Sequence, residues 1–242
     1  MGIALSNRLR RVADYVERGG IPADVGTDHA YVPIWLLQNG ISPLAYATEI
    51  KPGPLRNAEA DAVRAGVRER LTLYLCDGLA ACAPERVDTV ILAGMGGETM
   101  QNILDAAPWA LEKRLILQPQ TKVRELRRWL WARGSITIAD ASLVYDTGRI
   151  YLVWLVGPGD GETMRDCAVD QALLEKRDPL LLPYTEGRIK QTLEQLHGME
   201  RARRADAAAL DALRAELEEL REVRDLAAAW SAKSEKERTA AL

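Results

Sequence analysis

Ile21-Pro-Ala-Asp-Val-Gly-Thr-Asp-His-Ala-Tyr31 reads as a short buried strand, a tight glycine turn and the opening of a helix. In an open α/β sheet that junction stands at the carboxyl end of the first strand, where ligands bind. Gly26 lacks a Cβ, so the turn can approach a ligand closely. The amides that open the following helix point at the same place.

Outward from this stretch the strand–helix unit recurs. Before it, Leu5, Leu9, Val12, Ala13 and Val16 sit at helical spacing and predict an amphipathic helix over residues 4–18, closed by Gly19-Gly20. After it, strands are expected near 44–48, 71–76, 87–93 and 115–118. They run into Glu49, Asp77-Gly78, Gly94-Met95-Gly96-Gly97 and Pro119. Pro52-Gly53-Pro54 opens a helix that Gly66 ends. Residues 136–144 and 151–156 form a hairpin across Asp146-Thr147-Gly148. Repeated strand–helix units imply a parallel sheet with right-handed crossovers, to which the final hairpin adds one antiparallel strand. This is the α/β, Rossmann-like order of the class I methyltransferase fold.

Gly157-Pro158-Gly159-Asp160-Gly161-Glu162 is a turn-rich linker. It predicts one domain over 1–160 and a helical one over 163–242. In the latter a short helix is expected before Pro179 and a break at Pro183. Ile189, Leu193 and Leu196 form one apolar seam; Leu210, Leu213, Leu217, Leu220 and Leu226 form another. Their spacing predicts two antiparallel helices in a coiled-coil hairpin turning near 201–206. Residues 231–242 read as a frayed tail.

The composition is that of an ordinary soluble globular protein, and the absence of phenylalanine leaves a core of Leu, Ile, Val and Ala with a few Trp and Tyr. No apolar run is long enough for a signal peptide or a membrane span. Cys76, Cys82 and Cys167 include no Cys-x-x-Cys pair, which points to reduced thiols, a cytoplasmic protein and no metal. The net charge of −3 argues against a generally nucleic-acid-coated surface. Locally, however, Lys113, Arg114, Lys122, Arg124, Arg127, Arg128 and Arg133 face the single acid Glu125 within residues 113–133. Such a run is either a solvated helix face or a patch for a polyanion.

The chemistry of the turn narrows the ligand. A dinucleotide fingerprint needs Gly-x-Gly-x-x-Gly, whereas these positions hold Gly26, Asp28 and Tyr31. Asp28 would set a carboxylate against a pyrophosphate, so NAD and FAD are disfavoured. S-adenosyl-L-methionine carries a sulfonium and an ammonium group and no phosphate, and it tolerates carboxylates at Asp24 and Asp28. Glu49, at the end of the second strand, suits ribose hydroxyls, and Asp77 could accept from an adenine amino group. His29 has no partner His or Cys at metal spacing and fits packing or a hydrogen bond to the cofactor. Three glycines in Gly94–Gly97 exceed what one turn demands and suggest close approach of a flat substrate to backbone.

Leu5-Ser6-Asn7-Arg8-Leu9, Ala23–Tyr31, Ala93-Gly-Met-Gly-Gly97 and Leu115-Ile-Leu-Gln-Pro119 together resemble the bacterial tRNA (adenine-22 N1)-methyltransferases, the TrmK family. The resemblance implies methyl transfer from S-adenosyl-L-methionine to N1 of an adenine in the tRNA core, with Asp28 at the position of the catalytic acid. On this reading Asp24, Gly26, Asp28, His29, Glu49, Ile50, Asp77, Gly78, Ala93 and Gly94 bind the cofactor. Arg8, Tyr31, Met95, Gly96, Gly97, Gln118, Pro119, Arg124, Arg127 and Arg128 contact the tRNA, helped by the C-terminal hairpin. The partner expected is tRNA, with no membrane and a monomeric enzyme. Two alternatives stand beside it: a class I methyltransferase of another substrate, and a non-catalytic RNA-binding protein that retains the pocket.

Overall fold

The computed structural model describes residues 2–159, 166–201 and 206–240, the side chains of 234–240 excepted. The chain forms two compact units, Met1–Arg165 and Asp166–Leu242. The expected linker and the expected turn near 201–206 lie largely outside the described residues.

The first unit runs α1 (Asn7–Asp14), β1 (Pro22–Val25), α2 (Tyr31–Gln38), β2 (Ala45–Glu49), α3 (Pro52–Arg64), β3 (Leu71–Leu75) and β4 (Thr89–Met95). It continues with α4 (Gly97–Ala106), β5 (Arg114–Pro119), α5 (Val123–Trp131), β6 (Ile136–Asp146) and β7 (Arg149–Pro158). The seven strands order as β3-β2-β1-β4-β5-β7-β6. The first five are parallel, and β7 lies antiparallel between β5 and β6. From β1 the chain moves outward to β2 and β3, then back to β4 on the other side of β1. The order therefore reverses beside β1, and its carboxyl end opens on the crevice where such sheets bind ligands. Thr147 and Gly148 both take positive φ, as a two-residue hairpin turn matched to strand twist requires.

Helix α1 is shorter than the periodicity predicts because Ser6 starts it; the Ser6 hydroxyl accepts a hydrogen bond from the Leu9 amide at 3.4 Å. Its buried Val12 and Ala13 join Val32 and Leu36 of α2 over Ile91, Ile116 and Val153 of the sheet. A second cluster packs Ile34 and Leu37 of α2 and Ala58 and Ala62 of α3 on Ala45, Ala47 and Leu71. Small residues on α3 and β2 let helix and sheet approach closely, which suits a core without phenylalanine.

The second unit holds α6 (Gln171–Glu175), α7 (Leu181–Glu200) and α8 (Ala207–Ala240). Pro183 sits in the first turn of α7, where its missing N–H costs nothing, so it opens the helix instead of breaking it. Leu181 and Leu196 of α7 and Leu217, Leu220 and Ala227 of α8 are buried. Arg188 of α7 reaches Glu216 of α8 at 2.5 Å. Leu226, expected in the seam, is exposed, because Ala227 takes the inward position. Nor does the chain fray at 231: α8 runs on to Ala240, a stretch with no glycine or proline and many strong helix formers.

Candidate functional site

Strand β1 ends at the glycine turn. Gly26 has φ +72, and a Cβ there would meet only the Cε of Met95, at 3.3 Å. The amides of Gly26 and Thr27 both donate to the carbonyl of Thr48, at 2.9 and 3.2 Å, so the turn is pinned to the end of β2. Asp24 is buried; the Thr27 hydroxyl donates to it at 2.5 Å. Burial pushes the Asp24 carboxyl up to about 6, against the opposing effect of the Thr27 hydrogen bond.

The raised carboxyl has a consequence for stability. The folded state holds its Asp24 proton to higher pH than the unfolded chain, so stability is full below about 4 and declines as pH rises through about 6. Over that range the loss amounts to roughly 3 kcal/mol. Asp24→Asn is expected to unfold at a higher urea concentration than the wild type at pH 8, with the advantage vanishing at pH 4. A constant difference across that range, measured by urea titration, would count against this assignment.

The residues after Gly26 carry the exposed chemistry. Asp28 and Ala30 both take positive φ, +42 and +53, a strained backbone for residues with a Cβ. The Asp28 side chain is 69% exposed. His29 Nδ1 lies 2.8 Å from Asp61 Oδ2 on α3, and its ring stacks on Tyr31 at 5.0 Å. Arg64 also donates to Asp61. Burial would raise the Asp61 carboxyl, but the His29 and Arg64 hydrogen bonds outweigh it and hold the group below the usual range. At the ends of β2 and β3, Glu49 is buried and accepts from the Lys51 amide at 3.0 Å, whereas Ile50 and Asp77 are exposed.

The glycines after β4 divide into two kinds. The ladder pairs Ala93 with Gln118 and Met95 with Pro119, leaving Gly94 bulged out with φ +83. Strand β4 therefore runs two residues past its expected end. Gly94 is exposed, and no atom comes within 3.6 Å of where its Cβ would stand. Gly97, in contrast, is buried, and a Cβ there would lie 2.6 Å from the Lys122 carbonyl. A Cβ on Gly96 would lie 2.9 Å from the Thr121 hydroxyl. Close approach to backbone is real at Gly97, but the approaching group is the protein's own β5–α5 loop. The expected substrate contact there is corrected.

Gln118 and Pro119 are likewise buried and do not form an exposed wall. Gln118 accepts instead from Arg8 Nη1 at 2.8 Å. Arg8 also stands 5.5 Å from the Tyr151 ring centroid and donates its amide to Asp146 at 3.2 Å. Its guanidinium is the nearest atom group to the open side of Gly94. Nothing in the sequence signalled Tyr151, Asp61 or the Thr27 hydrogen bond.

The basic run changes most. Arg124 and Arg127 are buried on α5, and the Arg127 guanidinium lies 5.1 Å from the Trp154 ring centroid. They do not face solvent, so the RNA contacts expected of them are corrected; Arg128 is exposed. Lys122 pairs with Glu98 and Arg133 with Asp105, both at 2.6 Å, and Arg114 pairs with Glu17. Among the described residues no helix is long and apolar enough to cross a membrane, and no group of three His, Cys, Asp or Glu side chains could hold a metal ion. An open groove lined by Ile3, Trp35, Gln38, Val67 and Arg70 borders the C-terminal ends of α2 and α3, away from these strand ends.

The carboxyl edge fits S-adenosyl-L-methionine on its own evidence. A buried carboxylate without a cationic partner among the described residues, Asp24, suits an ammonium group; Gly26 leaves a cradle that a side chain would fill; Glu49 suits ribose hydroxyls beside the apolar, exposed Ile50. Together with the strand order, these residues define a class I S-adenosylmethionine-dependent methyltransferase. A family model described as a methyltransferase domain matches residues 5–154. The tRNA (adenine(22)-N(1))-methyltransferase of Bacillus subtilis (strain 168) is 34% identical over 170 residues, spanning 69% of each chain. The crystal structure of the B. subtilis M1A22 tRNA methyltransferase TrmK superposes with a TM-score of 0.78 at 27% identity, covering 91% of this chain and 99% of that one. Streptococcus pneumoniae Sp1610, in complex with S-adenosyl-L-methionine, superposes with a TM-score of 0.71 at 29% identity, over 91% and 100%. The chain belongs to the tRNA (adenine-22 N1)-methyltransferases, the TrmK family.

Proposed function

We propose that this protein transfers the methyl group of S-adenosyl-L-methionine to N1 of the adenine at position 22 of tRNA. Membership of the family supports the reading, and one observation carries it at the level of chemistry: an exposed carboxylate, Asp28, at the carboxyl end of β1. Asp24, Gly26, Glu49, Ile50, Asp77, Gly78 and Ala93 would hold the cofactor, which when bound supplies an electrophilic methyl group on a sulfonium. The N1 lone pair of neutral adenine needs no base before attack. Positive charge then develops on the purine. Asp28, accepting from the N6 amino group, orients the base and stabilises that charge. The base must leave its stack to reach the carboxylate, past Tyr31, Met95 and the open side of Gly94. Arg8 and Arg128 hold phosphates nearby, and the helical unit contacts the rest of the tRNA.

The test uses labelled S-adenosyl-L-methionine and two unmodified tRNA transcripts, one with adenine and one with guanine at position 22. One methyl per adenine-22 transcript, found as N1-methyladenosine by mass spectrometry, and none on the guanine-22 transcript is the expected result. Equal labelling of both, or of neither, overturns the reading. Removal of residues 166–242 is expected to weaken tRNA binding about tenfold while leaving cofactor binding intact. Unchanged tRNA affinity would remove the helical unit from the interface.

A further inference from the structure

The exposed Asp28 lies on a turn whose conformation works against it. Asp28 and Ala30 both occupy the left-handed region, which crowds the Cβ, and such strain persists only where the surroundings over-determine it. Ala30 is anchored: it is buried, and its amide donates to the Thr27 carbonyl at 2.7 Å. Asp28 itself makes no hydrogen bond among the described residues; His29 Nε2 stands 4.0 Å from its carboxylate, beyond hydrogen-bond distance.

The tie that remains comes from outside the turn. His29 Nδ1 meets Asp61 on α3 at 2.8 Å, across thirty-two residues of sequence, and Asp61 is itself steadied by Arg64. A carboxylate on Nδ1 fixes both the tautomer and the plane of an imidazole, leaving Nε2 on the Asp28 side. Tyr31 stacks on the ring at 5.0 Å with an interplanar angle of 17°, closing its other freedom. Resting on the reading of Asp28 as the catalytic carboxylate, we infer that Asp61 is a positioning residue for methyl transfer. Through His29 it latches the strained turn, and with it the backbone from which the Asp28 carboxylate projects. It touches neither substrate nor cofactor.

The latch predicts a loss in turnover with no loss in binding. With tRNA and S-adenosyl-L-methionine both saturating, Asp61→Ala should lower kcat about 10- to 100-fold while both KM values stay within about threefold. Asp61→Asn keeps an acceptor for Nδ1–H and should recover most of that loss. Arg64→Ala keeps the His29 contact and should stay within about twofold of wild type. In a His29→Asn background, Asp61→Ala should cost nothing further, because the path it acts through is already cut. Additive losses in the double variant, or an equal loss in Arg64→Ala, would overturn the latch.

A readout without activity separates this inference from the function it rests on. The protein has two histidines, so the Nδ1–H of His29 is readily assigned by NMR. It should exchange slowly in wild type and rapidly in Asp61→Ala. If wild type leaves adenine-22 tRNA unmethylated, the functional reading fails while the NMR result still decides the His29–Asp61 contact. Rapid exchange in wild type overturns the latch whatever the substrate.

Discussion

Asp28→Asn should lower kcat about 10²- to 10³-fold, equivalent to roughly 2.7–4 kcal/mol of transition-state stabilisation. Asparagine is the informative replacement. Asp28 has φ +42, and asparagine tolerates the left-handed region better than other residues with a Cβ, so the backbone stays in place while the charge goes. Alanine would mix lost charge with added strain. The variant keeps a side-chain carbonyl that can still accept from an N6 amino group, so what it loses is charge stabilisation of the developing purinium. Affinity for S-adenosyl-L-methionine, read by calorimetry, should change by less than about threefold. Turnover that survives with cofactor affinity unchanged would remove Asp28 from its role. Loss confined to cofactor affinity would make it a binding residue instead.

Gly97→Ala should cost about 1–3 kcal/mol of stability, the usual range for overpacking, and lower Tm by roughly 3–10 °C. The added Cβ would stand 2.6 Å from the Lys122 carbonyl, 3.0 Å from the Thr121 carbonyl and 3.2 Å from Leu126 Cβ. Two of those three are backbone and cannot swing aside. Relaxation would have to separate α4 from the β5–α5 loop and stretch the 2.9 Å hydrogen bond from the Gly97 amide to Thr121. Gly187→Ala is the matched control. It lies inside α7 with nothing within 4 Å of a Cβ, no positive φ and no proline after it, so the change should be neutral or stabilising by up to about 1 kcal/mol. Calorimetric melting of the two variants side by side tests the contrast. Equal Tm values would mean that the β5–α5 loop yields more easily than its packing indicates.

Neither Gly97 nor the basic run could be understood from neighbouring residues. Three glycines in four positions signal that backbone comes close to something, and that much was legible. Whether the something is substrate or protein depends on a loop some twenty-five residues away, which periodicity does not bring into view. Arg124 and Arg127 carry the same charge in sequence as Arg128, yet the helix turns two of them inward. Glu17, Glu98 and Asp105 then neutralise the residues flanking that helix from other elements. A patch counted along the chain is thus not the patch that solvent meets.

By itself the sequence determined the sheet and pointed to the end of its first strand as the place for a ligand. Both follow from local rules: apolar runs of strand length, helices between them, and a glycine where the first strand must turn over the site. The stretch from Ile21 to Tyr31 also excluded a dinucleotide, through the carboxylate at Asp28. The tertiary structure alone decided which side chains stand behind that carboxylate. Asp61 reaches His29 from α3, and Gln118 holds Arg8 across one hundred and ten residues. Hydrogen bonds of this kind depend on distances in space that helix and strand periods do not encode, so they appear only when the crossovers have brought the elements side by side.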